Sequence, residues 1–131
     1  FSNEQVLVDV TVPLRVSKSG VEYLLPPVDS NSEMISREVA KDVRVVGAFK
    51  TIPAHLLAEL QTPLDCDVFI CGDSEEAKER VAAAAGLIPS LRSLDAGPLN
   101  AARTLERMTV LAVHLNRRYK RRGVRFNAVG I

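Results

Sequence analysis

The spacing of apolar and polar positions changes character several times along the chain, and each change predicts an element. Residues 6–12 form a nearly unbroken β-branched run, the pattern of a strand covered on both faces as in a parallel sheet. Pro13 ends it, having no N–H to donate. Residues 14–29 carry Gly20 and the Pro26-Pro27 pair and read as a loop longer than the usual strand-to-helix connection. Ser30-Asn31-Ser32-Glu33 then spells a capping box, in which the Ser hydroxyl takes the N3 amide and the Glu side chain returns to the cap amide. A helix is predicted from there, with Met34, Ile35 and Val39 on its apolar stripe. Residues 43–49 predict the next strand, with Gly47 inside it marking a close backbone approach.

Residues 52–60 predict a short helix with Pro53 in its first turn, and residues 67–71 a short buried strand. Asp73-Ser74-Glu75-Glu76 repeats the helix-start signature, with carboxylates at the positive end of the dipole. That helix is expected to run to Gly86 as a left-handed terminator. A strand at 91–94 follows. A long helix is predicted over 100–120, where Leu105, Met108, Ala112, Leu115 and Tyr119 recur at three and four. Val110, Leu111 and Val113 widen that stripe, so burial on more than one side is expected. Gly123 ends the helix, and residues 124–129 suit a last strand or an extended tail. Strands alternating with helices make a mostly parallel α/β sheet the simplest topology, in one domain over 1–131.

Composition adds exclusions. The chain of 131 residues is 47% apolar and 25% charged, ordinary values for a chain with a packed core. A formal charge of +1 supplies no whole-domain field toward nucleic acid or an anionic membrane, so neither is expected as a partner. No apolar run approaches the roughly 20 residues of a membrane span, and no leader pattern precedes the first strand; a soluble cytoplasmic protein is expected. Phe1 is followed almost at once by the first strand with no initiator Met, which suggests a piece of something longer. Cys66 and Cys71, five positions apart around a strand, read as buried free thiols, too few for a metal site. His55 and His114 read as structural. No Gly-x-Gly-x-x-Gly or Walker-type loop exists among the seven glycines, so the chain alone should not hold a dinucleotide tightly.

Three blocks carry a resemblance: Val45-Val46-Gly47-Ala48-Phe49-Lys50-Thr51-Ile52-Pro53, Asp67-Val68-Phe69-Ile70-Cys71-Gly72-Asp73 and Leu94-Asp95-Ala96-Gly97-Pro98-Leu99. In order and spacing they resemble the second half of NADPH-dependent reductases of coenzyme F-420, whose fold is shared by the cytosolic domain of the STEAP metalloreductases. The resemblance implies the C-terminal half of a doubly wound, mostly parallel Rossmann-type α/β sheet with the first βαβ half missing. It implies NADP and the deazaflavin coenzyme F-420 as cofactors, with hydride passing between them and no catalytic side chain or metal required. Thr11, Val12 and Pro13 would lie near the nicotinamide edge; Lys50, Thr51 and Ile52 would line the ring cleft, where Lys50 could pair with an anionic deazaflavin. Ala96, Gly97 and Pro98 read equally as cleft wall or as a plain strand-to-helix turn. Arg117, Arg118, Lys120, Arg121 and Arg122 suit a phosphate or the anionic tail of a deazaflavin, but the reading with the greater weight is a solvated helix end whose dipole favours cations.

On this reading the chain is inactive until joined to a dinucleotide-binding half, in the same chain or a partner, and a homo-oligomer is expected. The alternatives are a noncatalytic dimerisation or interaction module of the same fold, motivated by the broad apolar helix, and a reductase of a flavin or ferric acceptor using NADPH.

Overall fold

A computed structural model describes residues 5–59 and 61–131; Leu60, the last residue of the predicted short helix, and residues 1–4 lie outside the described residues. In chain order the elements are β1 (Gln5–Asp9), β2 (Leu14–Ser17), β3 (Gly20–Tyr23), α1 (Asn31–Glu38), β4 (Val43–Gly47), α2 (Ala54–Ala58), β5 (Cys66–Gly72), α3 (Glu75–Ala85), β6 (Leu91–Gly97), a 3-10 turn (Leu99–Ala101) and α4 (Ala102–Tyr119). The main sheet has the order β1-β4-β5-β6. The pairs β1–β4 and β5–β6 are parallel, but β4 and β5 meet antiparallel through Val46 opposite Gly72 and Gly47 opposite Cys71. The sheet is therefore mostly parallel, with one reversal at its centre. The antiparallel pairing overlaps only at the carboxyl ends of β4 and β5, so Asp9, Gly47, Cys71 and Gly97 form one row across the sheet where the carboxyl ends of all four strands meet.

Alternation along the central strands builds a core on each face. Val46, Val68 and Ile70 point one way, into a cluster with Ala77 and Val81 of α3. Val45 and Cys71 point the other way, against Leu105 and Ala102 of α4, with Ile35 and Val39 of α1 beside them. Val46 and Val68 are fully buried, worth about 1.5–3 kcal/mol each. Gly47 sits where the layers meet: a Cβ there would lie 2.9 Å from Cys71 Sγ, 3.0 Å from Ser32 Oγ and 3.1 Å from Lys50 Cε. Only glycine leaves room for all three.

The helix starts follow the sequence with one change. Ser30 Oγ accepts from the Glu33 amide at 3.2 Å and Ser74 Oγ from the Ala77 amide at 3.1 Å. The Glu33 carboxylate does not return to the cap amide; it accepts the Ser30 hydroxyl at 2.8 Å and the Arg103 guanidinium, while Asp29 accepts the Ser30 amide. Gly86 does close α3 but keeps right-handed angles, φ −63, so its freedom is not what ends the helix. In α4 the left-handed terminator is Lys120, φ 54. Residues 124–129 form the extended tail rather than a strand: Phe126 O accepts the Asp67 amide at 3.0 Å, and Arg92 forks onto Asp67 at 2.7 and 2.8 Å while donating to Ala128 O. The predicted loop at 14–29 contains the β2–β3 hairpin, closed by Ser17 opposite Gly20. Among the described residues no helix is long and apolar enough to cross a membrane.

Candidate ring-binding site at the ends of β1 and β4

Asp9 and Gly47 are register partners in the parallel ladder, and the Ala48 amide donates to Asp9 O at 3.1 Å, so the strands end together. Just past β4, Lys50 turns its side chain back beneath them. Its ammonium donates to Asp9 Oδ2 at 2.7 Å and to the Thr11 carbonyl at 2.7 Å, and pairs with Glu106 Oε2 of α4 at 3.1 Å. All three ammonium donors are engaged, and the side chains of all three charged residues are 0–1% exposed. Lys50 therefore ties the two strand ends together from within, and its ammonium has no direction left for an outside anion. The ring contact expected of it is not offered by this geometry.

Two carboxylates and one ammonium leave this interior cluster one negative charge in excess, and neutral donors balance it. Glu106 Oε1 accepts the Asn31 amide at 2.8 Å and Oε2 the Ser32 amide at 3.3 Å, at the positive end of α1; Tyr23 OH of β3 donates to Oε1 at 2.7 Å. Ser32 Oγ donates to Asp9 Oδ2 at 2.6 Å, and the Thr11 amide to Asp9 Oδ1 at 3.0 Å. Burial pushes the Asp9 carboxyl up, but the donors from Lys50, Ser32 and Thr11 outweigh it and hold its pKa below the ordinary carboxylate value. Burial and the Glu106 carboxylate raise the Tyr23 phenol, so it stays a donor. The Arg107 guanidinium lies 4.1 Å over the Tyr23 ring, clamping the hairpin to α4.

The structure brings together two of the three groups of predicted site residues. Thr11 is exposed and Val12 and Pro13 half-buried at the end of β1; Lys50, Thr51 and Ile52 are buried beside them. Thr51 is 5% exposed, and its hydroxyl makes no hydrogen bond to any described residue. Ala96, Gly97 and Pro98 close β6, two strands across from β4, with Gly97 level with Gly47 and Asp9 along the row Asp9–Gly47–Cys71–Gly97. There they line an open cleft of about 570 Å³ with Asp73, Glu75 and Asp95. Lys78, the one cation of that cleft, is held by Glu75 at 2.9 Å and Asp95 at 3.0 Å. That surroundings is hostile to a phosphate. Cys66 and Cys71 are buried free thiols as expected; burial raises both, Cys71 to about 11, so neither is a thiolate near neutral pH.

A mostly parallel sheet with helices on both faces and a polar, locked wall at the ends of two parallel strands is a unit of the open, doubly wound α/β class. No family model matches the chain. It is 36% identical over 121 residues to the F-420-dependent NADP reductase of Methanocaldococcus jannaschii, covering 91% of this chain and 54% of that protein. To the enzyme of the same name from Methanothermobacter thermautotrophicus it is 34% identical over 127 residues, covering 93% and 55%. Among solved structures, a protein from Arthrobacter provisionally described as an F-420-dependent NADP reductase superposes with a TM-score of 0.83 at 24% identity, covering 95% of this chain and 57% of that one. A hypothetical protein from Sinorhizobium meliloti gives 0.60 at 22%, covering 77% and 50%; these two speak for the fold alone. The chain is thus homologous to the C-terminal half of the F-420-dependent NADP reductases. It spans about half the length of the curated relatives it matches.

Proposed function

We propose that this chain forms one wall of the cleft in an oxidoreductase that moves a hydride between NADPH and the deazaflavin coenzyme F-420. When bound, the two cofactors supply the hydride chemistry between nicotinamide and deazaflavin rings. The protein's task is to hold them face to face and exclude water, which requires a rigid surface rather than an acid or base. The observation that carries the reading is the Lys50 ammonium joining the ends of β1 and β4, which makes Thr11–Val12–Pro13 and Thr51–Ile52 a single wall. The unpartnered Thr51 hydroxyl is a donor available to a ring carbonyl. Lys50 is a positioning residue in this scheme.

The second wall and the phosphate cradle belong to a dinucleotide-binding half. β1 is an edge strand of the main sheet, and Val8 within it and Val10 just past it are 39% and 51% exposed, which suits the addition of its strand there. The assembled enzyme is read as a cytoplasmic homo-oligomer. The test is to join the chain to a glycine-loop half and follow deazaflavin absorbance with NADPH, beside flavin and ferric acceptors. Turnover with the deazaflavin is expected. No turnover with any acceptor, together with a stable dimer by light scattering, would replace this reading with a noncatalytic interaction module.

A further inference from the structure

We propose that the C-terminal end of α4 is a docking site for the anionic, phosphate- and carboxylate-bearing tail of the deazaflavin coenzyme. The proposal rests on the functional reading above and deepens it. Its basis is five exposed cations, Arg117, Arg118, Lys120, Arg121 and Arg122, none of which has an ion-pair partner among the described residues. A helix dipole accounts for the two in the last turn but not for three that follow it. The backbone gathers them: Lys120 is left-handed, the Arg121 amide folds back to Asn116 O at 2.8 Å, and the Val124 amide reaches Asn116 Oδ1 at 3.1 Å. In a chain of net charge +1, five unneutralised cations at one tip leave the remainder net negative.

Their position follows from the direction of α4. α4 packs on Val45 and Cys71 at its start; further along, Glu106 meets the Lys50 ammonium and the Thr109 hydroxyl donates to the Lys50 carbonyl. It therefore runs in the same sense as β4. Arg117 lies eight residues beyond Thr109, about 12 Å past the level of Lys50 at 1.5 Å per residue. The basic tip stands at the same end of the molecule as Thr11–Pro13 and Thr51–Ile52, within the span of an extended tail leaving a ring held there.

Dissociation constants should be measured by deazaflavin fluorescence for the protein with its dinucleotide-binding half present. The comparison is between wild type and the combined Arg117→Gln, Arg118→Gln, Arg121→Gln, Arg122→Gln variant, with tailed coenzyme, tail-free deazaflavin and NADPH. Wild type is expected to bind the tailed form at least tenfold tighter at low salt, a preference that closes as salt rises. The variant should bring the two deazaflavins within twofold and leave NADPH affinity unchanged. Equal affinity of wild type for tailed and tail-free compounds would overturn the proposal while leaving the ring site intact. A variant that weakens NADPH instead would assign the cations to the dinucleotide phosphates and overturn it. A wild type that binds neither deazaflavin would remove the functional reading as well.

Discussion

Replacing Lys50 by Met keeps an unbranched side chain one atom shorter and deletes the one cation shared by two interior carboxylates. Asp9 Oδ2 and Glu106 Oε2 both lie within 3.1 Å of the ammonium, so they are less than about 6 Å apart, and their repulsion at an effective dielectric of 20 is about 3 kcal/mol. Breaking a buried pair from one side costs about 3–5 kcal/mol in general, and the Thr11 carbonyl also loses its donor. A loss of about 4 kcal/mol at pH 7 is expected, which at a urea slope of about 2 kcal/mol/M lowers the unfolding midpoint by about 2 M. The pH dependence gives a second reading of the same quantity. In wild type the lowered Asp9 pKa adds stability that is present above the unfolded carboxylate value near 3.9 and is lost as pH falls through its folded value. In the variant a stranded carboxylate has a raised folded pKa, so its penalty is full at pH 7 and fades as pH falls toward the unfolded value. The gap between the two proteins should therefore narrow from pH 7 to pH 4.5. Circular dichroism across urea at several pH values measures it, and adding Asp9→Asn to the variant should restore about half the loss. A loss under 1 kcal/mol, or one independent of pH, would refute the charge argument.

Gly47→Ala should cost about 1–3 kcal/mol through overpacking, since the new methyl meets Cys71 Sγ at 2.9 Å; thermal melts should show partial recovery when Cys71→Ala is added. Tyr23→Phe should cost about 1 kcal/mol by removing the donor to Glu106, and hydrogen exchange in residues 14–23 should rise while α3 is unaffected. Arg92→Ala should release the tail from Asp67 and Ala128, seen as faster exchange at the Asp67 and Ala128 amides. Cys66 and Cys71 should resist a thiol reagent at pH 8 in the folded chain and react at once in denaturant, because burial raises both pKa values; fast native labelling of Cys71 would contradict its burial.

Much of this architecture was written in local pattern. β1, β4 and β5 are apolar runs, and both capped helices begin at the serines that the spacing marks. The hairpin is not visible in the sequence because only Leu14, Val16, Val21 and Tyr23 alternate in it, too short a signal beside Gly20 and two prolines. The β4–β5 reversal was missed for a physical reason that the segment itself held. A parallel return needs a crossover spanning the strand, and the five-residue α2 is only about 7.5 Å long. Asp9, Ser32 and Glu106 could not be foreseen as partners, because Glu106 meets Ser32 across 74 positions. Two hints existed: Asp9 is a charge inside an apolar run, and Glu106 sits one residue after Leu105 on the face that Ala102, Thr109 and Ala112 also share. Thr11–Pro13 and Lys50–Ile52, placed by resemblance, adjoin at the ends of neighbouring strands, whereas Ala96–Pro98 stand two strands across from Lys50, with Gly97 level with Gly47.

A single ammonium that answers to two acids on different elements makes three positions one heritable unit. A lineage that neutralises residue 50 without altering residues 9 and 106 inherits an unstable interior, so accepted changes there must arrive in concert. Covariation of these three positions among relatives would be the trace of that constraint, and independent drift at any one of them would show that the knot is dispensable.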